Sequence, residues 1–377
     1  MRALLVTGMY PKPDDPVFGR FVDDQMRALA LLEPSLSWDL LFFDGRASRL
    51  NYLRAIREVR RRVARAPYDL VHAHYGLAGL AAVCQSRAPV VLTLHGSDVA
   101  VPWQRALTRL AIARSAAVIA VSRRMKETLE GPGGGPEGEV EVIPCGIDLE
   151  RFHPRPAAEA RRRLGWPEGG KRVLFPGDPG RRVKGHGLFR AVIGSLRDAG
   201  LDLTEVTLAG VPPDRVPILM NACDLMLMTS RSEGSPMVVK EAMASNLPLV
   251  SLDVGDVAEV AAGASQCEVV NARADSPKAR EALAGAARRI LEGGERSGGR
   301  ARVAHLSHEA IARRVLAIYR RAAASRDGPL MCGRDAAIFG RAGGTLPVPL
   351  GDDSCAGGPG RAEPGRGERG RSDIVIQ

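Results

Sequence analysis

Along the first half of the chain, short apolar runs alternate with longer segments whose apolar residues recur every three or four positions. The runs RALLVT, SWDLLFF, YDLVHAH, APVVLTLHG, SAAVIAVS and VEVIP are short, rich in branched residues and bounded by turn formers, so they read as strands. Between them FVDDQMRALALL and WQRALTRLAIARS carry helical spacing. Strand–helix alternation with strands this apolar predicts a parallel sheet covered on both faces. GPGGGPEG, at 131–138, reads as a loop. The pattern breaks between Gly146 and Lys171, a stretch holding Pro154, Pro156, Pro167 and a Gly-Gly pair, and then restarts. KRVLFPG, HGLFRAVIGSLRDAG, EVTLAG, VPILMNAC, DLMLMTS and LPLVSLD repeat the alternation. Two doubly wound α/β domains facing across a cleft follow, 1–146 and 147–305, with ligands expected beyond the carboxyl ends of the strands. The run HEAIARRVLAIYRRA predicts a closing helix over 306–323, and the Gly/Arg/Pro-rich composition of 324–377 predicts a largely disordered tail.

Composition narrows the class. The 377 residues are 45% apolar and 25% charged, ordinary for a globular enzyme. No apolar run approaches the ~20 residues that span a bilayer. MRALLVTGMYPKP reads as a first strand, Ala3 to Thr7, rather than a signal peptide, which predicts a cytoplasmic protein. Cys84, Cys145, Cys223, Cys267, Cys332 and Cys355 form no CxxC pair and the histidines no HExxH set, so reduced thiols and no metal are expected. The net charge is +10, and from residue 322 onward seven Arg meet seven Asp plus Glu, so the whole excess sits before the tail. Part of it is RAIREVRRRVAR, with Arg54, Arg57, Arg60, Arg61, Arg62 and Arg65. That run fits a solvated helix face, or a peripheral surface for anionic lipid headgroups or an anionic acceptor. Aromatics make up 4% of the chain and do not interleave with basic residues, so no nucleic-acid partner is expected.

The chemistry concentrates in RSEGSPMVVKEAMASNLPLVSLDVGDVAE, residues 231–259, directly after the strand DLMLMTS. Ser235 suits a helix N-cap and Pro236 the first turn. The amides from Gly234 through Ser235, Met237 and Val238 then lie at a helix N-terminus, which favours an anion such as a diphosphate. Glu233 before the helix and Glu241 in its second turn could each accept two hydroxyl hydrogen bonds, holding two hydroxylated rings either side of that anion. A surface pair of glutamates is the competing reading.

EGSPMVVKEAMASNLPLVS resembles the E-x7-E signature of family 4 (group 1) retaining glycosyltransferases of the GT-B fold, which consists of two Rossmann-like domains. VHAHYG, LTLHGSD, VIPCGIDLERF and the SEGSP segment occur in that family's order over about residues 1–321, and are similar to its teichuronic acid and exopolysaccharide branch. The resemblance implies metal-independent, retaining transfer of a hexose or N-acetylhexosamine from a nucleotide diphosphate sugar to a glycan or lipid-linked acceptor. No bound cofactor is implied, since the donor is a co-substrate. Glu233 would contact the donor sugar, Glu241 the ribose, and the backbone at Pro236, Met237 and Val238 the diphosphate. In FPGDPGRRVKGHG, Arg181 and Lys184 would neutralise the leaving diphosphate; the family's usual Arg position is Pro179 here, and a basic exposed loop is the alternative. His95 would sit near the transferred sugar. Gly19, in the loop after the first strand, would approach the diphosphate from across the cleft, unless it serves loop geometry alone. His72 and His74, two apart on one side of a strand, read as a structural histidine and an acceptor-site candidate respectively. Asp98 is a candidate for organising its loop or the acceptor. Gly146 would mark the hinge, where Cys145 replaces a common Asn. A nucleotide-sugar epimerase or hydrolase of the same architecture, and a non-catalytic sugar-nucleotide-binding subunit, are the other readings.

Overall fold

The computed structural model describes residues 1–324 except Asp14, Arg46 and 132–139. The expectations for the tail, apart from Ala324, and for all but the first residue of the 131–138 loop lie outside the described residues. None of the described helices is long and apolar enough to cross a membrane.

The first domain opens with β1 (Arg2–Thr7), α1 (Arg20–Leu32), β2 (Ser37–Phe42) and α2 (Leu50–Arg65). It continues through β3 (Leu70–His74), α3 (Gly76–Ala82), β4 (Val90–Leu94), α4 (Ser97–Ala100) and α5 (Pro102–Ile112). β5 (Ala117–Ala120), α6 (Arg123–Glu130) and β6 (Val140–Val142) complete it. The strands pair in parallel in the order β2-β1-β3-β4-β5-β6. Alternation along the strands sorts the core into two layers. Leu4, Val6, Val71, Ala73, Leu92 and Leu94 face a layer containing α2, α3 and α5. Ala3, Leu5, Leu70, Val91 and Ile119 face the other way, toward α1.

In the second domain, α7 (Ala157–Arg163), β7 (Lys171–Phe175), α8 (His186–Asp198), β8 (Leu203–Thr207) and α9 (Val216–Ala222) come first. β9 (Leu225–Met228), α10 (Met237–Ala244), β10 (Leu249–Leu252), α11 (Val257–Ala261) and β11 (Cys267–Val270) follow. α12 (Pro277–Gly293) and α13 (Gly299–Val303) end this domain. Its parallel sheet has the order β11-β10-β9-β7-β8.

The closing helix α14 (His308–Ala324) begins two residues later than the periodicity suggested, because Ala304–Leu306 forms a 3-10 turn. It returns to the first domain, packing on α1, β3 and β4 with Ile311, Val315, Ile318 and Tyr319 buried. The chain thus crosses between domains twice, side by side. Ile147 donates its N–H to Leu306 (2.8 Å), and His308 donates to Ile147 (3.0 Å). Gly146 allows the crossing to be close: a Cβ there would stand 2.9 Å from the His308 ring and 3.1 Å from its Cα.

Candidate active site

The carboxyl ends of both sheets open into a cleft of about 1240 Å³. Its second-domain wall includes Arg181, Lys184, Glu233, Gly234, Ser235, Pro236, Met237, Val238 and Glu241, all singled out in the sequence. The wall forms because β7 and β9 end side by side. Arg231 donates its N–H to Val183 (2.8 Å), and the Thr229 hydroxyl donates to the Lys184 and Gly185 carbonyls. Gly185 permits this packing: its φ is +69°, and a Cβ would lie 2.1 Å from the Thr229 oxygen. Lys184 Nζ donates to Glu233 Oε1 at 2.8 Å, with less than a fifth of either side chain exposed. A cation and a carboxylate are thereby held in register at the cleft floor. Arg181 is exposed on the same rim.

Pro236, not Ser235, is the N-cap of α10, and no side chain caps the helix. The Ser235 hydroxyl is taken by a stronger partner. It donates to Asp256 Oδ2 at 2.6 Å, and Lys240 Nζ, fully buried, donates to the Ser235 oxygen and lies 3.2 Å from the same carboxylate. This buried Lys–Asp–Ser group pins the 233–237 turn from beneath. Sequence reasoning passed over Lys240 and Asp256; the available signal was a lysine on the apolar face of a helix that otherwise buries Val239, Ala242, Met243 and Ala244. Glu241 projects into the cleft, and burial pushes its carboxyl up to about 7, with Asp24 adding to the rise and Arg151 opposing it. Arg151 and Asp24 line the cleft too and were not foreseen.

From the first domain, Met9, Arg20, Phe21, Asp24, Tyr75, His95 and Gly96 face the same space. His95 is half-buried, and both ring nitrogens are turned into the protein: Nε2 lies 3.0 Å from His74 Nδ1, and Nδ1 3.9 Å from Cys145 Sγ. Burial pulls its pKa down to about 3. A free imidazole aimed at the sugar is therefore not what this geometry presents. His74 is fully buried behind His95 and absent from the cleft wall, which removes it from the acceptor candidates. His72 is structural, bonded through Nδ1 to the Tyr319 hydroxyl (2.6 Å) and through Nε2 to Thr93 Oγ1 (2.8 Å). Asp98 is likewise buried and off the cleft wall. It accepts N–H groups from Gly76 (2.8 Å), His95 (2.7 Å) and Gly96 (3.3 Å), so it organises the loop from inside. Burial raises its carboxyl above the usual range against the pull of those N–H groups. Gly19 does not line the cleft either. Its φ of +68° and a Cβ position 2.4 Å from the Met9 carbonyl carbon assign it to loop geometry.

The domains meet at backbone. A Cβ on Gly234 would stand 2.0 Å from the His95 oxygen and one on Gly96 3.0 Å from Gly234 Cα; behind this contact, within the second domain, one on Gly255 would stand 2.7 Å from the Gly234 oxygen. Around this contact Arg124 and Asp253 face each other at 3.5 Å, as do Arg123 and Glu259.

Two facing parallel-sheet domains, with an acidic and cationic cleft at the strand ends, define a protein of the GT-B class. The chain belongs to the group 1 glycosyltransferases: residues 36–151 match the model of Glycosyltransferase Family 4, and residues 172–293 that of Glycosyl transferases group 1. Among relatives, the teichuronic acid biosynthesis glycosyltransferase TuaC of Bacillus subtilis (strain 168) is 35% identical over 220 residues, 51% of this chain and 55% of that protein. A D-inositol 3-phosphate glycosyltransferase of Nocardia farcinica is 29% identical over 50% of this chain and 52% of its own length. The chain thus spans about half the length of these curated relatives. Sucrose-phosphate synthase from Thermosynechococcus elongatus superposes with a TM-score of 0.70 at 19% identity, over 86% of this chain and 99% of that one. Anabaena Alr3699/HepE, solved in complex with UDP, superposes with a TM-score of 0.62 at 17% identity, over 84% of this chain and 99% of its own.

Proposed function

We propose that the protein transfers a hexose or N-acetylhexosamine, with retention and without a metal ion, from a nucleotide diphosphate sugar to a glycan or lipid-linked acceptor. The observation that carries the reading is the Lys184–Glu233 pair at 2.8 Å beside the open start of α10, with Glu241 one turn deeper. Val239 donates to the Pro236 oxygen, which leaves the first-turn amides of Met237 and Val238 for an anion. In this reading Glu241 accepts from the ribose hydroxyls and Glu233 from the sugar. The acceptor hydroxyl attacks the anomeric carbon on the face the diphosphate leaves. The carbon–oxygen bond to phosphate breaks as the new glycosidic bond forms, and the acceptor's proton passes to the departing phosphate oxygen. Lys184 and Arg181 offset the charge that builds there, a role typically worth about 3–4 kcal/mol per donor removed. His95, a weak base with its nitrogens engaged, serves as a wall beside the sugar. Among relatives and neighbours, the TuaC name speaks of teichuronic acid and the HepE structures of UDP and UDP-glucose. They support an envelope-glycan acceptor and a nucleotide-sugar donor.

The test is nucleoside diphosphate release by the full chain from a panel of nucleotide sugars, with and without a lipid-linked acceptor extract. Release from one donor that acceptor stimulates, and that Glu241→Ala and Lys184→Ala abolish, is expected. Release indifferent to acceptor means a hydrolase or epimerase, and saturable donor binding with no release in any condition means a silent binding subunit.

A further inference from the structure

Two helices of the second domain start without the caps their sequences supply. α10 follows Ser-Pro and α11 follows Asp, and serine, aspartate and proline are residues that open helices. Yet neither Ser235 nor Asp256 caps its helix. The two side chains are bonded to each other instead, Ser235 Oγ donating to Asp256 Oδ2 at 2.6 Å. Lys240 closes the group. Its Nζ donates to Ser235 Oγ and stands 3.2 Å from Asp256 Oδ2, with 0% of the lysine side chain and 4% of the aspartate's exposed. The hydroxyl hydrogen is thus engaged by the carboxylate, and a lone pair of its oxygen by the ammonium. A buried ion pair is a poor source of net stability, since apolar residues of similar volume serve as well or better. What a satisfied buried group does fix is geometry, here the direction of the Ser235 hydroxyl.

That direction matters because of what Ser235 would do if released. Pro236 has the φ of a helix, −69°, with an extended ψ of 114°. Rotating that ψ into the helical range would make Pro236 the first residue of α10 and Ser235 its N-cap, the arrangement that Ser-Pro favours. The hydroxyl oxygen would then accept from the N–H of Met237 or Val238, the second and third positions. Those are the amides assigned above to the donor's diphosphate, so Ser235 is a competitor for the anion site built into the site itself. We propose that Lys240 and Asp256 are positioning residues, which hold the Ser235 hydroxyl away from the start of α10 and so keep its amides open for the diphosphate. The inference rests on the donor site of the transferase reading. It accounts for a lysine on the buried face of α10, among Val239, Ala242 and Met243. Neither Lys240 nor Asp256 is part of the cleft wall, so each acts through Ser235.

The experiment is calorimetric titration of the full chain with UDP, GDP, ADP and dTDP, one of which the wild type should bind. Lys240→Met with Asp256→Asn leaves no charge in the buried group. In that pair, affinity for the same nucleotide should fall about fivefold, the size of a serine cap gained by the free protein. Adding Ser235→Ala should recover most of the loss, because the backbone amides stay and the competing oxygen goes. Amide hydrogen exchange followed by NMR reads the cap directly. Met237 or Val238 should exchange more slowly in the pair than in the wild type, and Ser235→Ala should reverse the change. Circular dichroism checks the fold of each variant, and Lys240→Met with Asp256→Leu carries the same test should the first pair misfold. Unchanged affinity in the pair overturns the proposal. So does a loss that Ser235→Ala leaves in place, the mark of a role in packing alone. Either result leaves the donor site standing, whereas a wild type that binds none of the four nucleotides overturns the donor site and this proposal with it.

Discussion

Glu241 sets burial against charge at the point where the donor's ribose is expected. Its carboxyl, raised to about 7, is part-protonated near neutrality. Hydroxyls donate better to the ionised form. Donor affinity should therefore rise between about pH 6 and 8, and binding at pH 7 should release about half a proton. Calorimetry in two buffers of different ionisation heat reads both, and an affinity flat across that range would count against the assignment. Stability runs the other way. A folded pKa above the unfolded one means that Glu241's contribution is full below the unfolded pKa and is lost as pH rises through about 7. Lys240 raises a different question, because it never reaches the cleft. Lys240→Met leaves the Asp256 carboxylate buried with the Ser235 hydroxyl alone, which should cost about 3–5 kcal/mol in a urea titration. Adding Asp256→Asn should restore much of that loss; no recovery would mean that Lys240 acts by packing alone.

Turns, more than helices or strands, decide how the two halves of the site approach. Gly234 meets the His95 carbonyl with no room for a methyl group. Gly234→Ala should hold the domains apart and lower turnover by about a hundredfold or more, a loss of the size that misplacing reacting groups by 1 Å produces. Melting temperature should move little, since the displaced turn lies between the domains and not in either core. A variant with normal turnover would show that closure does not use this contact. Strand and helix positions were legible in the sequence because their signals are local: the apolar period marks β3, β4 and β9, and the Glu-Gly-Ser-Pro turn marks the start of α10. The misreadings share one cause, a partner distant in sequence. Ser235 looked like a cap because Asp256, 21 positions on, competes for its hydroxyl. His74 and Asp98 looked like site residues because they end or follow strands. Only the packing of β3 against the β4–α4 loop shows that each supports its neighbours from inside. Gly19 was legible as a special position, but which of its two readings held depended on where Met9 lies.

At the scale of the whole molecule, the helix that ends the described chain completes the domain that begins it. The Tyr319 hydroxyl meets His72 at 2.6 Å inside the first domain, where burial pulls the imidazole down to about 3 and keeps it neutral. Tyr319→Phe removes that partner from a buried ring nitrogen and should cost about 1–3 kcal/mol, seen as a lower urea midpoint. An unchanged midpoint would mean that α14 is held by its apolar face alone. The return of α14 also has a consequence for biosynthesis. β6 ends at Val142 and α14 starts at His308, so roughly 165 residues separate the sheet from its cover. At the usual pace of a ribosome, about 5–20 residues per second, the emerging first domain waits roughly 10–30 s with α1, β3 and β4 short of the helix that packs on them. The domain translated first is therefore the one finished last, and during that interval it is the natural client of a chaperone.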